Sequence, residues 1–572
     1  MARTRTSRRI LFLVSAHNSL SQRALIALTE LGHRVDVAVV EDAEAMEDAV
    51  ARHSPDLIAC PMLKKLIPES IWSEHRCLIV HPGPVGDRGP SSLDWAIELG
   101  AREWGVTVLE ANGEYDAGDV LASRTFPMRA AGKGSIYRHE VRRAAIEALV
   151  EAVRKVVGDA APGPSGDVRA VGRARPLMKQ DVRAIDWSSD PTDVVVRKIR
   201  AAEGHPGVLD SVGGADHHLF GAHCEERLCG TPGEIVAQRD GAICRATVDG
   251  AVWITHLRRS GPQDAHFKLP ATLALGLAGH RLDAPDVPAP LHHLAGGAQT
   301  YREISYEEEA GVGYLQFDFY NGAMSTEQCR RLLDAYLYAR SRDTKVIVLT
   351  GGRDFFSNGI HLNVIEAAPD PAAESWRNLH AIDDVVREIV ETDSHLVVSA
   401  LRGDAAAGGV PFALAADRVY ARRDVVLNPY YRHMGGLYGS EYWTYLLPRR
   451  VGDYTAARLT GPPFTPVGTA RAVHLGLLDG AFGATVEGFE EQVRLLARRL
   501  AAASSFGDQL AAKRRARARD ERSKPLAEYR AEEMARTHEC FFGPDRSYHE
   551  ARSRFTRKLG AAEPRSHARL AA

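Results

Sequence analysis

Three features are scarce in this chain of 572 residues, and each scarcity argues against a class of protein. Net charge is only −2 at pH 7, so the composition favours neither a nucleic-acid nor a membrane surface as a partner. No apolar run approaches the roughly 20 residues that a bilayer-spanning helix needs. The seven cysteines are scattered, which is typical of reduced thiols in a cytoplasmic enzyme and not of a disulfide framework.

The N-terminus superficially resembles a secretory signal, because Arg3, Arg5, Arg8 and Arg9 precede an apolar stretch. That stretch is short, polar residues follow it, and no small-residue cleavage pattern is present. We therefore interpret residues 10–15 as a buried first strand and expect the protein to act in the cytoplasm.

The pattern along the chain predicts an α/β multidomain protein. Residues 1–160 alternate apolar strand signals with amphipathic helix signals, which indicates a Rossmann-like domain with a parallel sheet. Residues 161–176 are rich in Gly, Ala and Pro and are expected to form a linker. Residues 177–282 contain short alternating runs separated by turn residues, which predicts a small β domain.

The second half of the chain divides in the same way. Residues 283–300 are Pro-rich and then Gly-rich, and are expected to form a second linker. Residues 301–560 begin with strand and helix signals and end in charged helices, which predicts a second α/β domain. Residues 561–572 have little apolar content and are expected to be a disordered tail.

Two segments of the first domain resemble the signature of 10-formyltetrahydrofolate-dependent formyltransferases. The first is HPGPVGDRGPSSLDWAI, beginning at His81, and the second is WGVTVLEANGEYDAGD, which ends at Asp119. The resemblance implies that His81 and Asp116 are catalytic, that Arg88 belongs to the formyl-folate site, and that 10-formyltetrahydrofolate is the donor. It also implies that residues 177–282 form the OB-like barrel that follows the catalytic domain in methionyl-tRNA formyltransferases.

The chemistry of formyl transfer suits these residue types. A histidine titrates near the working pH and can carry a proton from the attacking nucleophile to the folate nitrogen. A neighbouring carboxylate can hold and polarise the imidazole. A thiol acceptor needs only a modest base, because its pKa lies near about 8.5. These properties fit coenzyme A as the acceptor without proving it.

The first domain also departs from the formyltransferase pattern. Ile79 stands where the family has an asparagine that helps hold the oxyanion, and losing one such donor costs about 10²–10³ in rate elsewhere. Asn18 and Gln22 are candidates to replace it, although helix capping explains them equally well. Lys64 and Lys65 lie where the family's folate loop passes. They could meet the glutamate tail of the folate or the phosphates of CoA, and a solvated pair is an equal alternative.

Two later segments resemble the enoyl-CoA hydratase/isomerase, or crotonase, family. They are FSNGIHL, from Phe356 to Leu362, and the Gly-Gly-containing run over residues 400–420. The resemblance implies that the backbone N–H groups of Ile360 and Gly408 form an oxyanion hole for a CoA thioester. It also implies that Phe356 and Leu362 belong to the CoA site.

Both glutamates that hydrate a double bond in the crotonase family are missing. Pro411 and Tyr431 stand in their places, and His361 replaces the usual aspartate. The same frame carries a new carboxylate at Glu441. We interpret Tyr431 and Glu441 as an acid and a base, in either order, that release CO from formyl-CoA. The alternative for Glu441 is a carboxylate favoured by a helix N-terminus.

The end of the chain carries a weaker signal. Phe555 and Lys558 match a crotonase pattern that touches the adenine and phosphates of CoA, and a solvated basic face is nearly as good an explanation. A group of histidines and cysteines is spaced unlike any standard zinc site, so no metal is expected; its members are His217, His218, His223, Cys224 and Cys229.

A formyl-folate site and an acyl-CoA site on one chain resemble the HypX/HoxX family of hydrogenase maturation proteins. The resemblance implies that formyl-CoA is made and then broken to CO and CoA, and that the CO becomes the iron ligand of a [NiFe]-hydrogenase. Other maturation proteins are then possible partners. Two alternatives stay open: a formyltransferase for an amine or protein acceptor with a non-catalytic CoA-binding module, and a non-enzymatic scaffold.

Overall fold

The computed structural model describes residues 7–158, 171–262, 265–292 and 297–559. Parts of the two predicted linkers, residues 161–170 and 293–296, and the predicted tail, 561–572, lie outside the described residues. No helix in the described ranges combines the length and apolar character that a membrane span requires.

A six-stranded sheet organises the first domain. Its strands are β1 Arg9–Val14, β2 Arg34–Val39, β3 Leu57–Cys60, β4 Cys77–His81, β5 Glu103–Glu110 and β6 Val120–Pro127. The spatial order is β2-β1-β3-β4-β5-β6. The first four strands are parallel, as predicted, whereas β5 and β6 pair antiparallel. Residues 10–14 are completely buried, which is the pattern of a parallel strand covered on both faces.

Helices connect and cover these strands. They are α1 Ser19–Glu30, α2 Ala43–His53, α3 Glu69–Trp72, α4 Ser92–Glu98, α5 Lys133–Ile136 and α6 Arg142–Val156. A π turn, Tyr137–Val141, joins the last two. The helix α6 buries an alanine-rich face against β5 and β6, because small side chains let a helix approach a sheet closely. The helices thus cover one sheet, in which strand β4 ends at His81.

The middle domain is built on an antiparallel sheet. Its elements are α7 Gln180–Arg183, α8 Thr192–Ala201, β7 Val208–Val212, β8 Ala215–Glu225, β9 Ile235–Arg239, β10 Ala242–Ala246, β11 Ala251–Arg259, β12 Leu269–Pro270 and α9 Ala271–Leu277. The strand order is β7-β8-β11-β10-β9, with β12 beside β11. Among the described residues the pairing runs from β7 to β9 without joining these two ends, so closure into a barrel is not part of the hydrogen-bond pattern.

The third domain contains two sheets. Its strands are β13 Ile304–Glu309, β14 Val312–Phe317, β15 Val346–Thr350, β16 Phe355–Ser357, β17 Leu396–Leu401, β18 Asp404–Ala406, β19 Arg418–Arg422, β20 Val426–Asn428, β21 Val467–Gly468 and β22 Gly480–Phe482. The larger sheet has the order β13-β14-β15-β17-β19-β22, and the smaller has the order β16-β18-β20-β21. Parallel pairing dominates both sheets, so their strands end at common edges.

Helices surround these sheets and extend to the end of the described chain. They are α10 Thr326–Ser341, α11 Leu362–Ala367, α12 Pro371–Glu391, α13 Gly409–Leu414, α14 Trp443–Val451, α15 Asp453–Thr460, α16 Thr469–Leu475, α17 Val486–Ala502, α18 Phe506–Ser523, α19 Leu526–Phe542 and α20 Ser547–Arg557. A capping box of Ser325 and Gln328 starts α10. Short 3₁₀ turns occur at Tyr320–Gly322 and Tyr431–His433.

Buried polar contacts join the first domain to the third. Arg142 Nη1 donates to Asp404 Oδ2 at 2.6 Å, and both side chains are largely buried. Asp354 accepts from Ser135 Oγ at 2.7 Å and from Arg138 Nη1 at 3.0 Å. Because such groups are costly to bury unpaired, these contacts fix how the two domains meet.

Candidate active sites

His81, the last residue of strand β4, has its imidazole ring between the carboxylates of Asp116 and Asp87. Its side chain is 4% exposed, Nδ1 lies 3.3 Å from Asp116 Oδ1, and Nε2 lies 3.0 Å from Asp87 Oδ2. A neutral imidazole has one N–H and cannot serve two acceptors, whereas the protonated ring has two donors. This geometry therefore favours the charged form of His81.

The two carboxylates also set the proton affinity of the site. Burial alone lowers the pKa of His81, but hydrogen bonds to Asp116 and Asp87 outweigh burial and raise the pKa to about 9. Burial alone raises the pKa of Asp116, yet its hydrogen bond to His81 leaves that pKa below the ordinary value. At neutral pH the site presents an imidazolium that can protonate a leaving nitrogen or stabilise an oxyanion.

Asp87 is a residue that sequence reasoning missed. Its side chain is completely buried, and it accepts a 2.6 Å hydrogen bond from Arg175 Nη1 in addition to its contact with His81. The sequence signal for Asp87 was its position in the segment HPGPVGDRG, six residues after His81. The structure makes this carboxylate the second partner of the imidazole.

The described end of the first predicted linker packs against the same loop. Within residues 171–176, Gly172 N donates to Val85 O at 2.9 Å, and a Cβ on Gly172 would lie 2.2 Å from Asp87 N. The guanidinium of Arg88 is half-exposed, with Nη1 3.7 Å from Glu114 Oε2. This stretch therefore braces the loop that carries Asp87, and it leaves Arg88 accessible.

The candidates for replacing the missing asparagine are engaged in other hydrogen bonds. The side chain of Asn18 caps α1 by accepting the backbone N–H groups of Leu20 and Ser21. The side chain of Gln22 accepts a 2.6 Å hydrogen bond from Asn428 Nδ2 in the third domain. Ile79 lies in β4 and offers no donor. A role for Asn18 or Gln22 in formyl transfer stays a prediction.

Cationic side chains from all three domains converge at one junction. Burial and the charges of Lys558 and Lys64 together lower the pKa of His205 to about 4, so His205 is neutral there and the cation from the middle domain is Arg258. Those two lysines come from opposite ends of the chain, and Lys64 also helps to lower the pKa of Lys558. The side chains of Lys65 and Phe555 are exposed. The junction has the charge that a phosphate-bearing ligand needs.

The predicted oxyanion hole lies between β16 and α13. Ile360 pairs with Met324 in an isolated bridge, and Gly359 has a φ of +76°. A Cβ on Gly359 would lie 3.2 Å from Gly408 N, so the backbone before Ile360 packs directly on the amide of Gly408. The two predicted backbone donors are therefore neighbours in space.

Glu441 lies against this hole. A Cβ on Gly408 would lie 2.1 Å from Glu441 Oε1, so only glycine leaves room for the carboxyl group there. Glu441 is 2% exposed and has a φ of +58°, and Tyr442 after it has a φ of +55°. Both residues precede α14, and the Glu441 carboxyl accepts a hydrogen bond from Ser440 N at 3.2 Å. The geometry disfavours a solvated carboxylate at a helix end.

Tyr431 stands beside the same carboxyl group. Its hydroxyl donates to Ser440 O at 3.4 Å, and its side chain is buried. Burial and the nearby charge of Asp383 raise the pKa of Glu441 to about 8, although a hydrogen bond with Tyr431 opposes them. Burial and the charge of Glu441 raise the pKa of Tyr431 well above its ordinary value. The pair combines a carboxyl group whose ionised form is a stronger base than usual with a phenol that is protonated at neutral pH and so available as a donor.

The other side chains of this domain that the sequence singled out pack or hydrogen-bond within the protein. Pro411 is buried within α13, where a hydratase would carry a glutamate. The ring of Phe356 packs 5.3 Å from that of Phe412 and is 1% exposed, so only its backbone is free to meet a ligand. The His361 ring caps α11 by accepting Val364 N at 3.2 Å, and Leu362 begins that helix half-buried.

Three segments match known protein families. Residues 38–153 match the formyl transferase family, residues 177–268 match the C-terminal domain of formyl transferases, and residues 307–560 match the enoyl-CoA hydratase/isomerase family. Methionyl-tRNA formyltransferase from Variovorax paradoxus is 27% identical over 235 residues, which cover 40% of this chain and 72% of that protein. Each half of the chain therefore resembles a separate enzyme family.

Two relatives span nearly the whole chain. Hydrogenase maturation factor HoxX from Bradyrhizobium diazoefficiens is 48% identical over 554 residues, which cover 96% of this chain and 95% of the relative. The crystal structure of HypX from Aquifex aeolicus in complex with tetrahydrofolic acid has a TM-score of 0.92 at 45% identity, covering 97% of this chain and 96% of that chain. This chain belongs to the HypX/HoxX family.

Membership of the HypX/HoxX family confirms the predicted fold class. A Rossmann-like formyltransferase domain, the formyltransferase C-terminal domain and a crotonase-like domain with terminal helices follow one another as predicted. Within the ranges that the structure describes, no group of three or more His, Cys, Asp or Glu side chains is arranged to hold a metal ion. His223, for example, packs against Tyr301 with ring centroids 4.9 Å apart and the ring planes tilted by 43°.

Proposed function

We propose that this protein makes carbon monoxide in two steps. It transfers the formyl group of 10-formyltetrahydrofolate to coenzyme A, and it then breaks formyl-CoA into CO and CoA. The observation that carries the proposal is the contact of the Glu441 carboxyl with Gly408, in a crotonase-like domain that lacks both hydratase glutamates. The Aquifex relative was solved with tetrahydrofolic acid, which supports the folate as the first ligand.

The first step proceeds at His81. The thiol sulfur of CoA attacks the formyl carbon, the bond from that carbon to the folate nitrogen breaks, and the thiol proton ends on that nitrogen. The imidazolium of His81 donates to the oxyanion or to the departing nitrogen, and Asp116 and Asp87 hold the ring in place. Transfer to a thiol conserves a reactive acyl bond, which the second step consumes.

The second step proceeds at Glu441. Its ionised carboxylate takes the formyl proton, the carbon–sulfur bond breaks, and CO leaves. The phenol of Tyr431 protonates the departing sulfur, and the proton on Glu441 then returns to Tyr431. The amides of Ile360 and Gly408 face the thioester oxygen during the reaction. One proton moves from carbon to sulfur, and no oxidant or reductant is needed.

The cationic junction supplies a site for the phosphates of CoA. Lys64, Arg258 and Lys558 bring positive charge from three domains to one place, where a single ligand can reach the formyltransferase and crotonase domains. We infer that the CO then serves as an iron ligand of a [NiFe]-hydrogenase and is received by other maturation proteins, and a relative named as a hydrogenase maturation factor supports this role. All seven cysteines are unpaired, in keeping with work in the cytoplasm.

Isotope tracing tests the proposal directly. The purified protein is mixed with CoA and with 10-formyltetrahydrofolate whose formyl carbon is labelled. Labelled CO trapped on reduced haemoglobin and labelled formyl-CoA seen by mass spectrometry are the expected products. Labelled folate consumed without either product, or only in the presence of an amine, would assign the protein to the formyltransferases that act on amines.

Crotonyl-CoA is expected to remain unhydrated by this protein. Addition of water to its double bond needs two carboxylates, and Pro411 and Tyr431 occupy their places. Loss of absorbance from the conjugated thioester is the measurement, with an authentic hydratase as the positive control. Hydration at ordinary hydratase rates would show that Glu441 performs water chemistry.

The two half-reactions are expected to respond oppositely to alkaline pH. CO release from supplied formyl-CoA needs ionised Glu441, whose pKa is about 8, so it should rise about tenfold per pH unit below that value and then level off. Formyl transfer needs protonated His81, whose pKa is about 9, so it should decline above that value. Single-turnover rates measured separately across pH provide the comparison. CO release that falls between neutral pH and the pKa of Glu441 contradicts its role as the base.

A further inference from the structure

Three buried carboxyl groups meet behind the turn that carries Glu441. Asp383 in α12 and Glu533 in α19 are both 0% exposed, and Glu441 is 2% exposed. Asp383 and Glu533 lie within the family-matched residues 307–560 but outside the two short segments, Phe356–Leu362 and residues 400–420, that carry the crotonase resemblance in the sequence. Buried carboxyl groups are costly unless hydrogen-bonded, so their concentration at one turn calls for a local reason.

Asp383 binds the backbone of the turn directly. Its Oδ1 accepts a hydrogen bond from Glu441 N at 2.8 Å, and its Oδ2 accepts one from Ser440 Oγ at 2.8 Å. Arg530 Nε lies 3.4 Å from Asp383 Oδ2 and balances part of its charge. Asp383 therefore fixes the amide of the very residue whose carboxyl group lies against Gly408.

Glu533 binds the other side of the same turn. Its Oε2 accepts from Tyr442 N at 2.9 Å, and its Oε1 accepts from Thr444 N at 2.8 Å and from Thr444 Oγ1 at 2.5 Å. Its Oε2 also lies 3.3 Å from Ser440 Oγ. Together the two carboxyl groups accept hydrogen bonds from the backbone N–H groups of Glu441, Tyr442 and Thr444. These N–H groups lie just before or in the first turn of α14, where a helix provides no backbone acceptor.

The turn needs this support because its conformation is unfavourable. Glu441 and Tyr442 are consecutive non-glycine residues with positive φ, at +58° and +55°. Such backbone persists only where the surroundings over-determine it, and it concentrates at functional sites. This backbone conformation, just before α14, places the Glu441 carboxyl against Gly408.

The titratable groups near Glu441 come from several elements packed around it. They are Asp383 from α12, Arg530 and Glu533 from α19, and the neutral side chains of Cys329 from α10 and Tyr431 from the 3₁₀ turn. Burial raises the pKa of Asp383 to about 6 and that of Glu533 to about 8. Like charge close to a carboxyl group disfavours its ionisation, so ionised Asp383 strengthens Glu441 as a base.

We propose that Asp383 and Glu533 are positioning residues for Glu441. Their hydrogen bonds hold the Ser440–Tyr442 turn that keeps the Glu441 carboxyl against Gly408, and the charge of Asp383 makes that carboxyl a stronger base. The base role rests on the proposed function, whereas the positioning of the carboxyl does not. Both residues act through Glu441 and touch no substrate themselves.

Two isosteric variants and two matched controls test the proposal. Asp383→Asn and Glu533→Gln keep the shape of each side chain and remove its charge and one acceptor. The controls are Glu391→Gln and Glu532→Gln, which change exposed carboxylates on the same two helices. Thermal unfolding of each variant establishes that it is folded. Ser440→Ala removes only the hydroxyl that contacts both carboxyl groups, and it replaces any variant that fails to fold.

The first readout needs no activity. Infrared spectra of the free protein, titrated with acid and base, report the carbonyl stretch of protonated carboxyl groups, and subtraction of Glu441→Gln spectra isolates Glu441. In Asp383→Asn the titration midpoint of Glu441 should fall by about one pH unit or more. The Glu441 midpoints in Glu532→Gln and Glu391→Gln should match that of the wild-type protein. An unchanged midpoint in Asp383→Asn would overturn the electrostatic part of the proposal.

The second readout is CO release from supplied formyl-CoA. Its plateau rate should fall about 10–100-fold in Asp383→Asn and Glu533→Gln, because a shifted carboxyl group loses its reacting geometry. The pH midpoint of the Asp383→Asn reaction should move with the infrared midpoint, and formyl transfer in the first domain should stay at the wild-type rate. Wild-type plateau rates in both folded variants would overturn the positioning role. Absence of CO from the wild-type protein itself would instead overturn the proposed function, and the infrared midpoint would still decide the inference.

Discussion

Glu441→Gln is expected to stop CO release while formyl transfer continues, so that formyl-CoA accumulates. The substitution keeps the size of the side chain and removes the charge that a base needs. Loss of a general base commonly costs about 10²–10⁴ in rate, and the three atoms nearest to a Cβ built on Gly408 all belong to the Glu441 carboxyl group. Formyl transfer should persist because His81, Asp87 and Asp116 belong to another domain.

The measurement pairs two products in one reaction. Mass spectrometry follows CoA and formyl-CoA, and reduced haemoglobin traps CO, after 10-formyltetrahydrofolate is added to the variant. Glu528→Gln on the exposed face of α19 is the matched control and should behave as the wild-type protein. CO release at the wild-type rate from Glu441→Gln would show that Glu441 has only a structural role. Absence of both products would show that formyl transfer itself depends on the third domain.

The parts of the two sites that lie in recognisable segments could be predicted from sequence. His81 and Asp116 were expected together, and the structure brings them within 3.3 Å. Gly408 and Glu441 were expected in one acyl site, and the structure brings them into contact. Motif residues keep a fixed relation to the backbone that carries them, so an ungapped frame is sufficient to find them.

The supporting residues could not be found in the same way. Asp383 and Glu533 lie on long helices where a charged residue ordinarily faces solvent, and only the packing of α12 and α19 turns them inward. Arg175 is far along the chain from Asp87, and a Gly- and Pro-rich stretch gives no sign that it will pack on a loop. Contacts of this kind depend on tertiary structure and leave no local pattern.

Strand direction shows the same limit. Apolar runs predicted a parallel sheet in the first domain, whereas β5 runs antiparallel to β4 and β6 runs antiparallel to β5. A buried strand has the same composition in either direction, so only the length and course of the connection decide. The reversal matters for the site, because β5 leads into the loop that carries Asp116 back over His81.

His81→Ala and Asp116→Asn are expected to abolish formyl transfer and to leave CoA binding intact. His81→Ala removes the only imidazolium at the site, and Asp116→Asn removes one of the two charges that keep it protonated. Both losses should reduce consumption of 10-formyltetrahydrofolate by about 10²–10⁴ when CoA is present. Asp87→Asn should give a smaller loss, because Asp116 still holds Nδ1 of the ring.

Three measurements test the expected effects of His81→Ala and Asp116→Asn. Folate consumption reports transfer, calorimetric titration with CoA reports binding, and CO release from supplied formyl-CoA reports the third domain. Asp119→Asn, an exposed carboxylate three residues after Asp116, is the control and should retain wild-type transfer. Unchanged turnover in both His81→Ala and Asp116→Asn would remove the first domain from catalysis. Loss of CO release from supplied formyl-CoA in His81→Ala would mean that the imidazolium serves both steps, and that the formyl group is made and broken within one continuous site.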